Sequence, residues 1–412
     1  MKLDTDGLSS QDTALATAIH RTVLQRWITL EYLLNRVLTK PMQDLEPTMQ
    51  AVLLTGAAQL VFMHRLPRHA VVDEQVKLAR QMVRPGAAGL ANAVLRKVAG
   101  MVGELKVNEP WFPAEDRLPL EGGTVVLTEP CLPPTRQAMR HLAVATSHPR
   151  ALIQRWISAF GREKAELFCL HGSETPPTIV AVEPGFVAEE DTRYQPHQAP
   201  GYLIWQGTKN ELRQFLAQHP ARRVQDPASA RPVASTAKLK VERIMDYCAG
   251  RGTKTRQLAA LHPKARIWAT DVDPQRRSAL KRATEGLGQV KVFLPDQPPE
   301  QPMGLMVLDV PCSNTGVLAR RPEARYRFDA RSLASLTDLQ RQIARHSVEW
   351  VRPGGFILYS TCSLEREENH EQAVWLSHLV RGQVVHESLV EPAGSETTYQ
   401  DGGYHALIQL PG

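Results

Sequence analysis

The chain has 412 residues, 42% of them hydrophobic and 22% charged, which is enough for two or three globular domains with their own cores. Its five cysteines form no CxxC pair and no Cys/His metal spacing, which excludes a disulfide framework and a zinc site. The net charge of +6 is only mildly basic, so total charge alone does not identify a polyanionic partner.

The start of the chain, Met1 to Asp6, has no basic region followed by an apolar core, so we expect no secretory signal. The longest mostly apolar stretch, Ala51 to Met63, is too short to cross a bilayer. Unpaired cysteines indicate a reducing compartment. We therefore expect a cytoplasmic protein that has no membrane or metal partner and acts as a monomer.

Residues 11 to about 105 show the apolar spacing of helices throughout. The apolar segments lie at 15–26, 27–38, 49–63, 71–82 and 89–98. This pattern predicts an all-α bundle of about five helices with short connections, and we assign it to a first domain, residues 1–105.

Residues 106–145 are rich in Pro and Gly, which predicts a linker or insertion. The next part of the chain, 146–240, combines two helical patterns with two short candidate strands and is expected to form a small α/β subdomain. Lys209 to Arg243 contains eight Lys or Arg against three acids, a balance that favours RNA binding.

From residue 241 to 412, strand and helix patterns alternate, which predicts an α/β doubly wound sheet of the Rossmann type. Candidate strands lie at 243–247, 267–270, 290–294, 305–308, 356–360 and 404–410. A helix that starts near Ser335 is expected to end at Pro353. The first five strands end at polar or reactive side chains: Cys248 with Gly250, Asp271, Asp296, Asp309 with Cys312, and Cys362. Such strand ends share one edge of the sheet, where ligands bind.

The glycine turn after the first strand fits neither of two common nucleotide motifs. A phosphate-binding Walker loop requires Gly where Thr253 stands, and the dinucleotide fingerprint requires Gly where Thr255 stands. The carboxylate of Asp271 would accept hydrogen bonds from a ribose diol, and Asp296 is expected near the adenine. S-Adenosylmethionine offers a ribose diol without phosphate, so this edge predicts that cofactor.

Cys312 and Cys362 each follow an apolar run and precede a serine. A single cysteine at a strand end is usually a packing residue, but two in equivalent positions favour chemistry. The first is followed by a basic segment, Arg320 to Arg331, with five Arg against two acids. Such a segment beside two thiols suits a nucleic-acid substrate.

A methyl donor and two thiols fit methylation of cytosine at carbon 5. That carbon is a poor nucleophile until a thiolate adds to carbon 6. Asp309 could stabilise the adduct near ring N3 and the amino group. The target base must be unpaired or flipped out of its stack.

Four ordered motifs resemble RNA cytosine-C5 methyltransferases of the Fmu/Sun type, which act on 16S ribosomal RNA. They are Cys-Ala-x-x-Gly-x-Lys-Thr at 248–255, Asp-x-Asp-x-x-Arg at 271–276, Asp-x-Pro-Cys-Ser at 309–313 and Ser-Thr-Cys-Ser at 360–363. The stretches 57–63, 66–72 and 89–96 resemble the NusB-type RNA-binding domain, which some of these enzymes carry ahead of the methyltransferase.

The resemblance implies that Cys362 is the nucleophile, that Cys312 serves product release and that Asp309 lies near the base. It also implies that one set of residues contacts the cofactor: Cys248, Ala249, Gly250, Arg251, Gly252, Thr253, Lys254, Asp271, Asp296 and Asp309. The chain departs from the family pattern at Arg251, at Thr253 and at Asn314, where a small residue is usual.

Three other functions stay open on the sequence. The protein could be an RNA-binding or ribosome-assembly factor with an idle methyltransferase fold, or an enzyme that modifies tRNA. A small-molecule methyltransferase is the third, although it would need neither two thiols nor the basic segment.

Overall fold

The computed structural model describes residues 3–188, 191–295, 297 and 299–412. The chain forms two compact units, which are described separately. The first contains Met1–Thr175 and Leu318–Arg327, and the second contains Pro176–Val317 and Phe328–Gly412. This division differs from the domain limits at 105, 145 and 240 that the sequence suggested.

The first unit begins with four α-helices: α1 (Ser10–Val37), α2 (Pro47–Phe62), α3 (Arg68–Leu78) and α4 (Ala87–Met101). The sequence suggested about five because 15–26 and 27–38 were separate apolar segments. They form one helix that is interrupted at Arg26, where the backbone has φ −119° and ψ 15°. Leu30, Leu33 and Leu53 are fully buried in the core between these helices.

Residues 106–145, where the Pro and Gly content predicted a linker or insertion, contain regular secondary structure. Strands β1 (Val102–Val107), β2 (Arg117–Leu120) and β3 (Gly123–Leu127) form an antiparallel sheet in the order β1-β3-β2. Leu118 and Val125 point into the helical core and are fully buried. Prolines and glycines lie in and between these short strands. Each strand needs only a few apolar residues, so the sequence pattern of the sheet is weak. Helices α5 (Ala138–Thr146), α6 (Arg150–Phe160) and α7 (Arg162–His171) follow.

The segment Leu318–Arg327 completes the first unit and ends in a short helix, α12 (Ala324–Arg327). Arg325 is fully buried there. Its guanidinium donates hydrogen bonds to the carbonyl oxygens of Gly172 at 2.6 Å and Ser147 at 3.2 Å. Arg325 is therefore not part of a solvated basic surface, contrary to what the run from Arg320 to Arg331 suggested.

The second unit opens with a four-stranded antiparallel sheet of order β5-β6-β4-β7. Its strands are β4 (Thr178–Ala181), β5 (Tyr194–Pro196), β6 (Tyr202–Trp205) and β7 (Arg223–Val224). Helix α8 (Lys209–Ala217) starts at a capping box formed by Thr208 and Glu211, and α9 (Pro227–Ala234) follows. The predicted α/β subdomain, residues 146–240, is therefore divided. Its two predicted helices, α6 and α7, belong to the first unit, and the remainder is an antiparallel sheet against which α8 packs, with Phe215 buried against Trp205.

A seven-stranded sheet of order β10-β9-β8-β11-β12-β14-β13 forms the rest of the second unit. Five strands are parallel: β8 (Arg243–Asp246), β9 (Arg266–Ala269), β10 (Val290–Val292), β11 (Met303–Asp309) and β12 (Val351–Thr361). Strand β14 (Gly403–Gln409) is antiparallel to β12, and the edge strand β13 (Gln383–Val390) is antiparallel to β14, so β13 runs in the same direction as the first five. The doubly wound class is confirmed, and the strand order reverses between β8 and β11, where such sheets hold ligands.

Helices α10 (Thr253–Leu261), α11 (Pro274–Ala283), α13 (Ala330–Val348) and α14 (His370–Leu379) flank this sheet. The predicted helix near Ser335 begins earlier, because the Asp329 side chain caps it by accepting from the Ser332 N–H. Pro353, expected to end that helix, lies in β12 instead. Within the described ranges, every helix is too short or too polar to cross a membrane, and no group of three His, Cys, Asp or Glu could hold a metal ion.

Candidate active site

The glycine turn after β8 lies beside Asp271, which follows β9. The backbone N–H of Gly250 donates to Asp271 Oδ2 at 3.0 Å, and Asp273 N–H donates to Asp271 Oδ1 at 2.9 Å. Gly250 has φ +57°, and a Cβ there would meet nothing within 4 Å, so open space borders the turn. The turn and the buried carboxylate therefore form one wall of an open site at the sheet edge.

Helix α10 starts directly from this turn. Gly252 precedes it with φ +90°, a conformation that favours glycine, and a Cβ there would also lie 2.9 Å from Leu280 Cδ1, so that side chain would have to shift. No side chain caps the start of α10. Burial raises the pKa of the neighbouring Cys248 thiol well above its ordinary value, which keeps this sulfur protonated and unreactive.

Asp246, the last residue of β8, fixes the glycine turn to the start of α10. The sequence patterns did not reveal this role. Its side chain is fully buried, and Oδ2 accepts a hydrogen bond from Thr255 Oγ1 at 2.7 Å. Burial raises the pKa of Asp246 to about 7, although the bond from Thr255 opposes this shift. The residue ties the end of β8 to the first turn of α10.

Lys254 and Asp309 form an ion pair in the same site. Lys254 Nζ lies 2.8 Å from Asp309 Oδ2, and Ser360 Oγ donates to Asp309 Oδ1 at 2.8 Å. Burial by itself lowers the pKa of Lys254, but the carboxylate of Asp309 outweighs it and raises that pKa overall. The pair fixes the carboxylate at the end of β11 in one orientation.

Parallel pairing of β11 with β12 brings the two predicted thiols together. Asp309 lies opposite Ser360. Cys312 comes three residues after Asp309 and Cys362 two residues after Ser360, so both follow their strands at the same edge of the sheet. Their sulfur atoms are 3.2 Å apart, and the Cys362 N–H donates to Cys312 Sγ at 3.3 Å. The hydrogen bond with Cys362 and burial raise the pKa of Cys312 well above its ordinary value. Cys312 is therefore a protonated thiol beside its partner.

Asn314 contacts both cysteines. The Cys362 thiol donates to Asn314 Oδ1 at 3.2 Å, and Asn314 Nδ2 donates to the Cys312 carbonyl oxygen at 2.7 Å. The residue has φ +62°, in the left-handed region that favours glycine. On the sequence it was only a departure from the family pattern.

Glu368 and Asn369 lie beneath the two cysteine loops and are both buried. Glu368 accepts from the Ser313 N–H at 2.9 Å and from Gln340 Nε2 at 3.0 Å. Asn369 accepts from Thr361 Oγ1 at 2.6 Å and donates to the Ser363 carbonyl at 2.9 Å. Burial raises the pKa of Glu368. The sequence analysis gave neither residue a role.

The residues predicted from sequence fall into two linked groups. The first group lies at the glycine turn and consists of Asp271, Cys248, Ala249, Gly250, Gly252 and Thr253. The second consists of Asp309 and the two thiols, and Lys254 joins the two groups. Arg251 is exposed. Asp296 lies outside the described residues. The individual roles of all these residues remain predictions.

Comparisons with known proteins agree with this geometry. Residues 236–404 match the family model described as 16S rRNA methyltransferase RsmB/F, and residues 2–100 match the NusB family. Ribosomal RNA small subunit methyltransferase B of Salmonella arizonae is 30% identical over 385 residues, which cover 89% of this chain and 82% of the relative. The probable ribosomal RNA small subunit methyltransferase B of Bacillus subtilis is 26% identical over 394 residues, which cover 88% and 79%.

Two solved structures share the fold. The crystal structure of PH0851 superposes with a TM-score of 0.70 at 20% identity and covers 98% of this chain and 91% of its own. A methyltransferase homolog protein from Pyrococcus horikoshii gives a TM-score of 0.53 at 20% identity, with 66% and 99% covered.

Proposed function

Since this chain belongs to the 16S rRNA methyltransferase RsmB/F family, and is therefore an RNA methyltransferase that uses S-adenosylmethionine, we propose that it methylates carbon 5 of a cytosine in small-subunit ribosomal RNA. The observation that carries the choice of reaction is the pair of sulfurs, Cys312 and Cys362, 3.2 Å apart and next to Asp309. An ordinary methyl transfer to a nucleophilic atom needs no thiol, whereas carbon 5 of cytosine does.

The residues at the sheet edge fit the cofactor. Asp271 uses one lone pair of each carboxylate oxygen on a backbone N–H, so a second lone pair of each remains for a ribose diol. The space beside Gly250 is open, and its glycine leaves room for a close approach. The bound cofactor would supply an electrophilic methyl group. Lys254, Asp309 and the turn residues would hold it against the thiols.

The protein's own groups then carry out the rest of the reaction. The thiolate of Cys362 adds to carbon 6 of the cytosine, and the electrons of the ring double bond become available at carbon 5 for the new carbon–carbon bond. Asp309 accepts a hydrogen bond from the exocyclic amino group and stabilises the adduct. Solvent water then takes the proton from carbon 5 while the carbon–sulfur bond breaks, so the ring double bond is restored and the electron pair of the broken bond returns to Cys362 as a thiolate. We assign this release to Cys312.

The substrate assignment rests on the relatives and on the basic residues. The relatives from Salmonella arizonae and Bacillus subtilis are named for small-subunit ribosomal RNA. We assign RNA binding to the helices of residues 1–105, which match NusB, and to the sheet between 146 and 240. We also propose that the enzyme works as a cytoplasmic monomer, which light scattering on the purified protein can check.

The test is transfer of labelled methyl from S-adenosylmethionine to unmodified small-subunit ribosomal RNA, with the product mapped at single-base resolution. We expect one 5-methylcytosine, lost in Cys362→Ala. Cys312→Ala should instead accumulate a covalent protein–RNA complex that withstands denaturation. Cys131→Ala, which removes another buried thiol, is the control.

Full transfer by Cys362→Ala would exclude the thiolate mechanism. Binding of cofactor and RNA without any transfer would favour the idle assembly factor instead. If the protein methylated tRNA and left ribosomal RNA unmodified, tRNA would be the substrate and the proposed reaction would stand.

A further inference from the structure

Helix α1 is interrupted at Arg26, and side chains from other parts of the first unit stabilise the interruption. In a regular helix the Ile28 N–H would donate to the Leu24 carbonyl oxygen. Here the Ile28 N–H donates to Ser147 Oγ at 2.8 Å. The Leu24 carbonyl oxygen accepts from the Tyr326 hydroxyl at 2.7 Å. Both backbone groups that the interruption frees are thus satisfied, so it is a defined feature of the fold.

Arg26 itself is a buried cation. The residue is 4% exposed, and its Cζ lies 4.8 Å from the centre of the Phe62 ring. Among the residues that the structure describes, Nη1 of Arg26 has no hydrogen-bond partner. Burial, with a smaller effect of the Arg325 charge, lowers the pKa of Arg26 to about 10, so the guanidinium stays charged at neutral pH. A buried charged donor without an acceptor costs free energy, and a ligand that supplies the acceptor would remove this cost.

Arg26 lines a cavity of about 340 Å³ that lies in the first unit. This volume is in the range of small-ligand pockets, roughly 300–1,000 Å³. The cavity is also lined by residues 108–111, by the turn between β2 and β3, and by the chain just after α7. Trp111 and Pro119 supply apolar surface, and the Trp111 indole is fixed because its Nε1 donates to the Arg117 carbonyl oxygen at 3.1 Å. The cavity therefore combines a buried cation with an aromatic wall.

Glu174 gives the same cavity a carboxylate. Its backbone is held in place, because the Glu174 N–H donates to the His171 carbonyl oxygen at 3.0 Å and the Glu174 carbonyl oxygen accepts from Gln25 Nε2 at 2.9 Å. Burial raises the pKa of Glu174 to about 7, and the charge of Glu121 adds to this shift while that of Arg26 opposes it. N–H donors on a ligand would stabilise the charged carboxylate.

A neutral ligand suits this cavity better than a phosphate. Glu109 and Glu121 line it together with Glu174, so a phosphate would meet three carboxylates beside the guanidinium. A neutral ring that carries an acceptor next to two donors would instead satisfy Arg26 and Glu174 together. Guanine has this pattern on one edge, because O6 accepts while N1–H and the 2-amino group donate, whereas adenine has a donor in place of O6.

We propose that the cavity beside Arg26 is a binding site for a guanine base, presented either by single-stranded RNA or by a free guanine nucleotide. Arg26 donates to O6, Glu174 accepts from N1–H and the 2-amino group, and the ring packs on Trp111. Arginine is the commonest specific partner of guanine, and unpaired RNA bases are recognised by such edge contacts together with aromatic stacking. The inference goes beyond the proposed function, since it concerns the first unit and needs no methyl transfer.

The test is equilibrium binding of the full-length protein to short fluorescein-labelled RNAs, followed by fluorescence anisotropy. The RNAs consist of uridines and differ only in one central purine, which is guanosine, inosine or adenosine. We expect the guanosine RNA to bind roughly tenfold more tightly than the adenosine RNA, the effect of one good pair of hydrogen bonds to a base. Inosine lacks only the 2-amino group, so its RNA should bind with intermediate affinity.

Two variants separate recognition of guanine from a structural role. Glu174→Gln keeps the shape of the side chain but has one acceptor in place of two, so guanosine should lose its advantage over inosine. Arg26→Lys keeps the charge but loses the planar guanidinium, so guanosine should lose its advantage over adenosine. Glu163→Gln, an exposed change in the same unit, should preserve the wild-type order of affinities. Thermal unfolding checks that each variant folds, and Glu174→Gln decides the test if Arg26→Lys does not fold.

Equilibrium dialysis with guanosine monophosphate identifies the source of the base. A guanosine preference among the RNAs that Glu174→Gln removes supports the site and assigns it to RNA. Binding of guanosine monophosphate that Glu174→Gln weakens, without a preference among the RNAs, supports the site and assigns it to a free nucleotide. If the three RNAs bind equally and guanosine monophosphate does not bind, or if Glu174→Gln changes neither result, the proposal is overturned. Because the readout is binding, it is independent of whether the protein methylates ribosomal RNA.

Discussion

Lys254 Nζ and Asp309 Oδ2 are 2.8 Å apart, across the point where the strand order of the large sheet reverses. The exposed fraction is 13% for the Lys254 side chain and 32% for that of Asp309. A buried cation that loses its partner is costly, because solvent cannot replace the missing charge. The pair thus connects the glycine turn to the thiol site through charge as well as geometry.

Asp309→Asn should lower the free energy of unfolding by about 2 kcal/mol, less than a fully buried pair would lose because Asp309 is partly solvated. Methyl transfer should fall by about two orders of magnitude, since the adduct loses its negatively charged acceptor. Urea unfolding and single-turnover transfer measure the two effects. Lys281→Met, at an exposed lysine of the second unit, should change neither, and an active Asp309→Asn would remove the carboxylate from the reaction.

Glu368→Gln should lower activity by about one to two orders of magnitude, because an amide N–H₂ would face the donors that Glu368 now accepts from. The loss should appear in the rate of transfer at saturating RNA, since the cysteine loops and not RNA binding are disturbed. Glu371→Gln, an exposed change on the same segment, is the control. If only the apparent affinity for RNA changed, Glu368 would not be positioning the loops.

Asp246 predicts a pH dependence of stability. Its folded pKa of about 7 lies above its ordinary value of 3.8, so the folded protein holds this proton more tightly than the unfolded chain. The resulting stabilisation is complete below pH 3.8 and is lost as the pH rises through about 7. Asp246→Asn should therefore gain stability relative to the wild type between pH 4 and 7, by about 4 kcal/mol at most. Urea titrations at several pH values test this, and a constant difference would contradict the raised pKa.

Arg325→Met should destabilise the first unit by about 3 kcal/mol, because the carbonyls of Gly172 and Ser147 would be left buried without a donor. Arg327→Met, in the same helix but with the side chain 71% exposed, should change stability by less than about 0.5 kcal/mol. Thermal unfolding compares the two variants. Equal effects would show that the segment contributes through its charge and not through the buried guanidinium.

The sequence predicted the large sheet well because buried parallel strands are nearly continuous apolar runs. Leu305 to Leu308 is entirely buried, and all six strands predicted for this sheet lie where the pattern put them. Strand β13 was missed since, at the edge of the sheet, it is largely exposed and lacks that pattern. The short sheet of the first unit was missed for a related reason, as its core signal consists of four buried apolar residues in three short strands, Val102, Leu118, Val125 and Leu127.

The site could be predicted only where residue type implies chemistry. Cysteines and acids at strand ends stand out, so Cys312, Cys362 and Asp309 were found from spacing. Asp246 and Glu368 act through burial and hydrogen bonds, and nothing in the order of residues distinguishes a buried carboxylate from a solvated one. Asn314 is a similar case, since its left-handed backbone angle and its contacts with both cysteines are visible only in the structure.

The segment Leu318–Arg327 has a consequence for how the protein is made. Residues 1–175 leave the ribosome first, but the buried arginine of their unit is encoded about 150 residues later. During synthesis the site that Arg325 fills stays unoccupied, and the Gly172 carbonyl lacks this donor, until much of the methyltransferase sheet has been translated. A gene fragment that ends at residue 175 would therefore yield an incomplete N-terminal unit, whereas adding the ten-residue segment as a separate peptide should restore part of its stability.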